Sequence, residues 1–391
     1  MPPFLLLVHN CNMQNYEDYI AIIGAGISGL ALGCILKKAD IPVIIFEKSP
    51  DISEYGAGIS ISPNGAKVLE YLNLYNEIIS ISSNPKQADF FSNDKKINSF
   101  DVDVITTSRQ VLYKSLYKKY ISLDGQILFD HQLCDVDFDK SELNFLDSKT
   151  YKVRHIAACD GIKSICRKKL DSQKEPIYSG YSVWRAIVEK KQKNTQTFLG
   201  PNHHIVTYPI SNSKISFVAA IKTSNKYKES WKSSGTYEEL KNDLIFSNKD
   251  YYSFINEETP LFKWGVYIRP LLKNIKYNNL TLLGDAAHPI VPFIGQGGCL
   301  ALEDAYIFGH LLTKYNSDIN KAQNAYEALR VKRINTIARM SLKQGHLNHI
   351  SNPIIVFLRN FVMKYLPSLA LKSVREKVWN YDPLEEIRDF K

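Results

Sequence analysis

The 391-residue sequence has no paired cysteines and no long apolar run. Its six cysteines, at positions 11, 34, 134, 159, 166 and 299, form neither a CxxC pair nor a metal-ligand spacing. Free thiols of this kind are typical of a reducing compartment, so we expect a cytoplasmic protein without a metal site. The apolar residues 4–8 lack a basic flank and are too few for a signal peptide or a membrane span. We therefore expect no integral membrane segment. Residues 1–12 are uninformative, because Met13 is an alternative start.

The sequence also lacks a nucleic-acid-binding motif. Lysine and arginine outnumber the acidic residues by 49 to 40, but the lysines are scattered and no aromatic-basic repeat occurs. The net charge of +9 therefore indicates a compositional preference for lysine and a mild attraction for small anions, and we expect no nucleic-acid partner. A hydrophobic content of 45% predicts a globular chain with one large domain or two intimate ones.

The chain does contain a dinucleotide-binding pattern between Tyr19 and Lys48. An apolar run ends in Gly24, Gly26 and Gly29, and a helical pattern follows. The first glycine permits a tight bend, the second lets backbone N–H groups approach a pyrophosphate, and the third lets the helix pack close to the strand. Glu47 closes the next β-rich run, about 20 residues after the glycines, where a carboxylate accepts hydrogen bonds from an adenosine ribose. An acid at this position favours FAD or NAD over NADP.

Two further junctions combine a glycine with an acid at the end of an apolar run. They are Asp160-Gly161 and Gly284-Asp285. A glycine-rich loop then leads from Pro292 to Gly298 into a helix, whose start offers unpaired N–H groups and the positive end of a helix dipole. Ser108 is predicted to cap another helix, and Arg109 in its first turn indicates an anionic ligand, because a cation is disfavoured at that end.

The order of these junctions resembles that of the single-component FAD-dependent aromatic hydroxylases, the p-hydroxybenzoate-hydroxylase-like flavoprotein monooxygenases. Gly284-Asp-Ala-Ala-His-Pro289, with the segment 295–305, is similar to the branch containing 3-hydroxybenzoate 6-hydroxylase, 6-hydroxynicotinate 3-monooxygenase and salicylate hydroxylase. Further matches are the segments 56–59, 178–185 and 326–333, and the resemblance covers about residues 19 to 382. Two residues depart from the family pattern: Cys159, where alanine is usual, and Ile268, where aspartate is usual.

The resemblance implies an α/β fold with a Rossmann-like FAD-binding domain of the GR2 type, an inserted mixed β-sheet substrate domain and C-terminal helices. We expect the FAD-binding domain at 17–84, 105–174 and 269–330, and the substrate domain at 85–104, as a hairpin, and at 175–268. A C-terminal helical region is expected at 331–391. Within it, the apolar segment 353–366 is expected to form a buried terminal helix, with a helix lying on a membrane surface as the alternative.

The implied cofactors are FAD and, as a co-substrate, NADH or NADPH. Three distant strand ends would converge on one flavin, and the implied FAD contacts are Gly24, Gly26, Gly29, Glu47, Lys48, Gly58, Arg109, Asp160, Asp285, Gly295, Gly297 and Gly298. Asp160 with Arg167 resembles the family's pair near FAD and the nicotinamide donor, a plain strand–helix joint being the alternative. Pro292 would form a rigid wall beside the flavin C4a, Gln296 is a candidate substrate contact, and His288 is expected to hydrogen-bond within the loop.

His204 and Tyr208 are the candidate substrate-side residues. They lie four apart on a predicted strand, so both face the same side, roughly 13 Å apart, and would bracket a bound ring. Their spacing is similar to that in the 3-hydroxybenzoate and 6-hydroxynicotinate hydroxylases, where the histidine assists substrate deprotonation and the tyrosine orients the substrate. A phenolate reacts faster than a phenol with an electrophilic oxygen donor, and a histidine base supplies the deprotonation. His203 is the alternative inward-facing histidine.

We therefore expect a monooxygenase that uses NAD(P)H and O2 to hydroxylate an aromatic or heteroaromatic small molecule through a flavin C4a-hydroperoxide. Partners are the substrate, O2 and NAD(P)H, and a homodimer is possible. Alternatives with the same fold are a tetracycline-inactivating or quinone-precursor hydroxylase. Alternatives from other classes are a flavoprotein oxidase or reductase without oxygen insertion, and a flavin-binding protein that has lost catalysis. A flavin halogenase is disfavoured, because the sequence has no Trp-x-Trp-x-Ile-Pro segment.

Overall fold

A computed structural model describes residues 13–51, 57–171, 175–227 and 233–390. Residues 1–12, and Gly56 of the segment 56–59, lie outside the described residues. The strands are β1 (Met13–Ile23), β2 (Val43–Phe46), β3 (Gly58–Ile61), β4 (Gln87–Ser92), β5 (Lys95–Asp101), β6 (Ile105–Ser108), β7 (Gln126–Leu128), β8 (Leu133–Asp137), β9 (Glu142–Phe145), β10 (Thr150–Ala158), β11 (Ile177–Glu189), β12 (Thr195–Gly200), β13 (His203–Pro209), β14 (Lys214–Lys222), β15 (Ser234–Gly235), β16 (Leu261–Ile268), β17 (Lys276–Tyr277) and β18 (Leu280–Leu282). The helices are α1 (Ile27–Lys38), α2 (Pro63–Tyr71), α3 (Tyr75–Ser80), α4 (Arg109–Ser122), α5 (Tyr237–Asp243), α6 (Gly297–Lys314), α7 (Ile319–Asn348), α8 (Pro353–Tyr365), α9 (Pro367–Val374) and α10 (Pro383–Asp389).

The first large sheet is built around β1, which is parallel to both β2 and β10. Its strand order is β17-β18-β10-β1-β2-β7, with β8 and β9 attached to β10. The apolar run at the end of β1 is buried, as expected for a parallel strand covered on both faces. The sequence suggests a β-meander over 126–158. Only β8, β9 and β10 pair as antiparallel neighbours in this way, whereas β7 is parallel to β2.

The second large sheet has the strand order β15-β16-β11-β14-β13-β12-β4-β5. The hairpin β4–β5, from the segment 85–104, joins this sheet through a parallel pairing of β4 with β12. One face packs on α5 and the segment that follows it, through a cluster that includes Trp184, Phe217 and Leu240. The opposite face packs on Val291 and Phe293, which belong to the glycine-rich loop before α6. The loop thus lies between the second sheet and the first.

Helices α6 and α7 pack against the first sheet, and α8 to α10 follow them. The expectation of a buried terminal helix at 353–366 is wrong, because no residue of α8 is buried. In the described parts of the chain, no single helix is long and apolar enough to cross a membrane. The pair Pro353–Tyr365 and Pro367–Trp379 reaches the required length and composition only together, with a bend of 103° between them.

Candidate active site

The turn between β1 and α1 needs two of its three glycines for the protein's own packing. Gly24 has a φ of +100°, and a Cβ built on it would lie 2.6 Å from the carbonyl oxygen of Cys159. A Cβ on Gly29 would lie 2.0 Å from the carbonyl oxygen of Gly24. Both positions therefore exclude a side chain for steric reasons within the fold.

Gly26 differs, because a Cβ built on it would meet no atom within 4 Å. It is the N-cap of α1 and has no side chain, so no N-cap side chain binds the first N–H groups of the helix. Glu47 stands beside this turn: its Oε2 accepts a hydrogen bond from Ala25 N at 2.7 Å, and its Oε1 accepts one from Ser49 N. Lys48, the next residue, is exposed. This arrangement can hold a phosphate at the helix start and a polyol beside the carboxylate.

The three strand ends meet at this turn. β10 is the neighbour of both β1 and β18, and all three are parallel, so their carboxyl ends lie at one edge of the sheet. A Cβ on Gly24 would be 3.4 Å from the Cα of Asp160, and one on Gly284 would be 3.0 Å from the Cβ of Ser28 in α1. The junctions that the sequence predicts to converge are therefore in contact. Cys159 fits this junction as well, since its thiol donates to Ser28 Oγ at 3.6 Å.

The two aspartates of these junctions have different surroundings. Asp285 is exposed between buried Gly284 and Ala286. Oδ2 of Asp160 accepts a hydrogen bond from Ile165 N at 2.9 Å, while its Oδ1 is buried and has no hydrogen-bond partner among the described residues. Burial raises the pKa of the Asp160 carboxyl. An orphaned buried acceptor and an exposed carboxylate beside a helix start both suit hydroxyl donors of a bound ligand.

The contacts of Arg167 are those of a strand–helix joint. Its guanidinium is fully buried and forms an ion pair with Asp171, Nε to Oδ2 at 2.8 Å. The remaining donors reach the carbonyl oxygens of Ala286, Ala287 and Pro270. Arg167 thus fixes the loop that carries Asp285, which is the strand–helix joint of the alternative interpretation.

The glycine-rich loop leads to a second uncapped helix start. Gly295 is left-handed, with a φ of +65°, and a Cβ on Gly297 would meet nothing within 4 Å. A Cβ on Gly298 would lie 2.8 Å from Ile59 Cδ1 and 3.9 Å from Ile27 Cδ1, so the start of α6 lies beside the start of α1. The N-cap of α6 makes no side-chain cap hydrogen bond. Two positive helix ends therefore open toward the same region, which favours an anionic ligand.

Gln296 does not point toward a substrate. Its side chain is buried, with Nε2 donating to Ser62 Oγ at 2.8 Å and Oε1 accepting from Asn64 Nδ2 at 3.0 Å. The amide is engaged at both ends and connects the start of α6 to the start of α2. This corrects the predicted substrate contact, because the side chain turns into the protein.

A network of buried charged residues supports the loop that carries Asp285. The sequence motifs include these residues but do not show that they interact. Asp304 Oδ2 accepts hydrogen bonds from Gly284 N at 2.9 Å and from His288 Nε2 at 2.5 Å, and its Oδ1 accepts one from Arg330 Nε at 2.7 Å. Arg330 also pairs with Glu303. Burial alone would raise the pKa of Asp304, but His288 and Arg330 outweigh it and lower the pKa to about 2. As predicted, His288 serves the hydrogen bonding of the loop.

His204 is buried and paired with a second histidine, which no sequence motif singles out. Its Nδ1 lies 2.6 Å from Nε2 of His349, the residue that follows α7. The ring of Phe293, next to Pro292, packs edge-on against both imidazoles. Burial lowers the pKa of His204 to about 3 and that of His349 to about 2, so both rings are neutral near pH 7. The ring of His203 instead hydrogen-bonds the carbonyl of Pro201, so His204 and not His203 packs against the loop before α6.

Tyr208 lies on the same face of β13 as His204, but at the other end of the site. A Cβ built on Gly58 would be 2.6 Å from its hydroxyl oxygen and 2.6 Å from Ser216 Oγ. Burial raises the pKa of Tyr208. Arg185, on β11, stacks on the ring of Trp264 at 4.6 Å, and burial lowers its pKa to about 10. This face therefore offers a histidine pair at one end, and a phenol and a guanidinium at the other.

Arg109 and Pro292 complete the predicted set. Arg109 is the first residue of α4, which Ser108 caps as predicted by accepting from Val111 N. The backbone N–H of Arg109 donates to Ala57 O next to Gly58. Pro292 begins a single 3₁₀ turn, Pro292–Ile294, and is half-buried.

Two open helix starts, the exposed Asp285 and the orphaned Asp160 oxygen together fit a dinucleotide cofactor such as FAD.

Comparison with known proteins places this geometry in a family. The family model described as FAD binding domain matches residues 18–340. Relatives include a 3-amino-4-hydroxybenzoate 2-monooxygenase of Streptomyces platensis, 26% identical over 87% of this chain and 90% of that protein. A 3-hydroxybenzoate 6-hydroxylase of Klebsiella oxytoca is 24% identical over 84% of this chain and 88% of that protein. A salicylate hydroxylase substrate complex has the same fold, with a TM-score of 0.80 and 23% identity over 95% of this chain and 97% of that one. The chain therefore belongs to the FAD-binding-domain family and is an FAD-dependent monooxygenase.

Proposed function

We propose that the enzyme hydroxylates an aromatic or heteroaromatic ring that already carries a hydroxyl group, using FAD, NAD(P)H and O2. The observation that carries this proposal is the buried His204–His349 pair, which contacts the loop leading into the start of α6. Bound FAD, reduced by NAD(P)H, would supply the activated oxygen. The named activities of the relatives, which act on hydroxybenzoates, support a substrate of this class.

His204 is the proposed base. Burial lowers its pKa to about 3 in the protein alone, so the negative charge of the bound substrate must raise this pKa for the proton to transfer. When Nδ1 of His204 donates to Nε2 of His349, Nε2 of His204 carries the lone pair that accepts the proton of a ring hydroxyl. His349 then stabilises the imidazolium through the same hydrogen bond and holds the ring in this tautomer. Deprotonation increases the electron density of the ring, which then reacts more readily with an electrophilic oxygen.

Tyr208 and Arg185 are proposed to hold the other end of the substrate. Arg185 pairs across the sheet with Val218, which in turn pairs with Val206, midway between His204 and Tyr208. The half-buried guanidinium of Arg185 on this face favours an anionic substituent such as a carboxylate. We also propose Pro292 as a wall of the site, because it precedes the ring of Phe293 that packs on His204. The substrate is therefore expected to be a hydroxylated aromatic acid.

The test uses the purified flavoprotein and a panel of hydroxybenzoic and hydroxypyridine carboxylic acids. A substrate should accelerate NAD(P)H consumption and give a product heavier by one oxygen atom. His204→Asn should lower kcat by roughly 10²- to 10⁴-fold, the contribution of a positioned base, while FAD remains bound. His203→Asn is the matched control, because that ring contacts its own hairpin, and it should change kcat by less than about twofold.

Two results would contradict the proposal. NAD(P)H consumption that yields only hydrogen peroxide with every acid would indicate an oxidase. Full activity of His204→Asn would show that the ring hydroxyl loses its proton without this base. Loss of FAD from His204→Asn, with FAD retained in His203→Asn, would place His204 on the cofactor side.

A further inference from the structure

Helix α8 is attached to the rest of the protein by its polar groups. Arg359 donates from Nη1 to the carbonyl of Leu347 at 3.0 Å and from Nη2 to Ser92 Oγ at 3.0 Å. Asn98 Nδ2 donates to the carbonyl of Met363 at 2.8 Å. Arg359 is half-buried, and this burial lowers the pKa of its guanidinium. The charged side chain in the middle of α8 therefore points inward.

Most apolar side chains of the same helix point outward, whereas Val356, Val362 and Met363 are half-buried. Ile354 is 71% exposed and Phe357 67% exposed, and Leu358, Phe361 and Tyr365 are exposed with them. Their spacing of three and four residues places them on one stripe of the helix. The ring of Phe361 contacts those of Phe357 and Tyr365, so the stripe is continuous. An amphipathic helix of a globular protein normally has the opposite orientation.

The surface continues beyond α8 with the exposed Leu366 and Leu369. We define the α8–α9 surface as the stripe on α8 together with these two residues. A contiguous exposed apolar surface of this kind marks an interaction site rather than ordinary scatter. Its members are all exposed to solvent in the described part of the chain, so the surface is available to a partner.

The chain segment that forms the α8–α9 surface, together with most of α7 before it, carries charges of one sign. No aspartate or glutamate occurs between Glu327 and Glu376. Within that interval stand nine cationic residues, Arg330, Lys332, Arg333, Arg339, Lys343, Arg359, Lys364, Lys372 and Arg375. Arg330 and Arg333 are neutralised by acids of α6, whereas Lys343, Lys364, Lys372 and Arg375 are exposed. The partner should therefore combine an apolar phase with negative charge.

We propose that the α8–α9 surface lies on a lipid bilayer that contains anionic headgroups. Interfacial helices bury an apolar face at the boundary of the acyl chains, and nearby lysines and arginines are attracted to anionic lipid. The 103° bend between the helices suits a segment that lies in the interface. A symmetric contact between two copies is less favourable, because it would bring the same acid-free segments together.

Flotation of the intact flavoprotein with lipid vesicles tests this proposal. The wild type should float with vesicles of phosphatidylcholine and phosphatidylglycerol, and float less with phosphatidylcholine alone or at high salt. Phe357→Ser combined with Phe361→Ser should reduce binding at least tenfold, since both rings are lost from the buried face of an interfacial helix. Lys364→Glu combined with Lys372→Glu should reduce binding to the vesicles that contain phosphatidylglycerol, but not binding to vesicles of phosphatidylcholine alone.

A matched control is available at Ile245 and Phe246, which are 68% and 85% exposed after α5, outside the α8–α9 surface. Ile245→Ser combined with Phe246→Ser should leave flotation unchanged. An unchanged flavin spectrum and Tm would show that all variants are folded, since every substituted side chain is exposed.

The proposal is overturned if the wild type remains in the lipid-free fraction. It is also overturned if the Phe357 and Phe361 substitutions abolish a dimer in gel filtration without affecting flotation, or if the lysine reversals have no effect.

Discussion

At the residue scale, the three glycines of the first turn separate packing from ligand binding. A Cβ on Gly29 would lie 2.0 Å from the carbonyl oxygen of Gly24, whereas a Cβ on Gly26, at the start of α1, would meet no atom within 4 Å. Gly29→Ala should therefore destabilise the protein even without cofactor, by roughly 1–3 kcal/mol or more as in other overpacked sites. Gly26→Ala should leave the stability of the apoprotein within about 0.5 kcal/mol, because its methyl group meets no protein atom.

A methyl group at position 26 should be harmless in the apoprotein but should interfere with FAD binding. The Cβ of Gly26→Ala would stand at an uncapped helix start, where a pyrophosphate is expected to lie. Flavin titration should show weakened FAD affinity for this variant. Urea unfolding of the Gly26→Ala and Gly29→Ala apoproteins measures their stabilities without the cofactor. An apoprotein of Gly26→Ala as unstable as that of Gly29→Ala would refute the distinction between the two glycines.

The histidine pair should make the stability of the apoprotein depend on pH. Burial lowers the pKa of His204 to about 3 and that of His349 to about 2, whereas an unfolded histidine titrates near 6.5. Below about pH 6.5 the unfolded chain therefore binds more protons than the folded chain, and the free energy of unfolding falls as the pH is lowered. Each histidine contributes a slope of up to about 1.4 kcal/mol per pH unit.

Denaturant unfolding between pH 7.5 and pH 5 measures this slope. His349→Gln should make it shallower, because one buried imidazole is removed. The two slopes are measured in the same buffers, so their difference reports the buried imidazole that the substitution removes. Equal slopes for wild type and His349→Gln would show that the pair does not resist protonation.

At the scale of elements, α6 and α7 are joined by buried ions. Arg330 of α7 contacts Glu303 and Asp304 of α6, and Asp304 in turn holds the N–H of Gly284. Removing one partner leaves uncompensated charge in the interior. Arg330→Met should therefore destabilise the protein by about 3–5 kcal/mol and weaken FAD binding, because the loop that carries Asp285 loses its support.

An exposed ion pair of the same helix supplies the control. Lys321 lies 3.2 Å from Asp318, with most of its side chain in solvent. Lys321→Met should have little effect on urea unfolding, since exposed pairs contribute little. Comparable losses in the two variants would mean that the buried network has no special role.

Whether the sequence predicts such a feature depends on how far apart the contacting residues lie along the chain. The glycines, Glu47, the Ser108 cap and the meeting of three strand ends follow from local spacing and from the rules for parallel sheets. The pairing of His204 with His349 joins residues 145 positions apart, and no local pattern contains it. The amphipathic stripe of α8 is visible in the sequence, but periodicity does not tell which side faces the protein. The direction of the Gln296 side chain is not predictable from the sequence either, because it depends on hydrogen bonds with the distant Ser62 and Asn64.

At the scale of the whole molecule, the candidate site gathers parts that are remote along the chain. The first sheet contributes three strand ends, and the loop before α6 carries Phe293 to the face of the second sheet. The end of α7 then brings His349 to the same place. A ligand that contacts the strand ends therefore stabilises segments from residue 24 to residue 298 at once, and its binding is linked to folding of the chain.

This linkage gives a prediction for FAD. At a free concentration 100 times its Kd, a ligand that binds only the native state adds about 2.7 kcal/mol to the free energy of unfolding. With an unfolding entropy of about 2.1 cal/mol/K per residue, a chain of 391 residues should gain about 3 °C in Tm. Thermal unfolding followed by circular dichroism, with and without FAD, measures this shift. Gly26→Ala should gain less at the same FAD concentration, because its Kd is higher. A Tm that does not respond to FAD at concentrations that saturate the flavin titration would show that the cofactor does not join these strand ends.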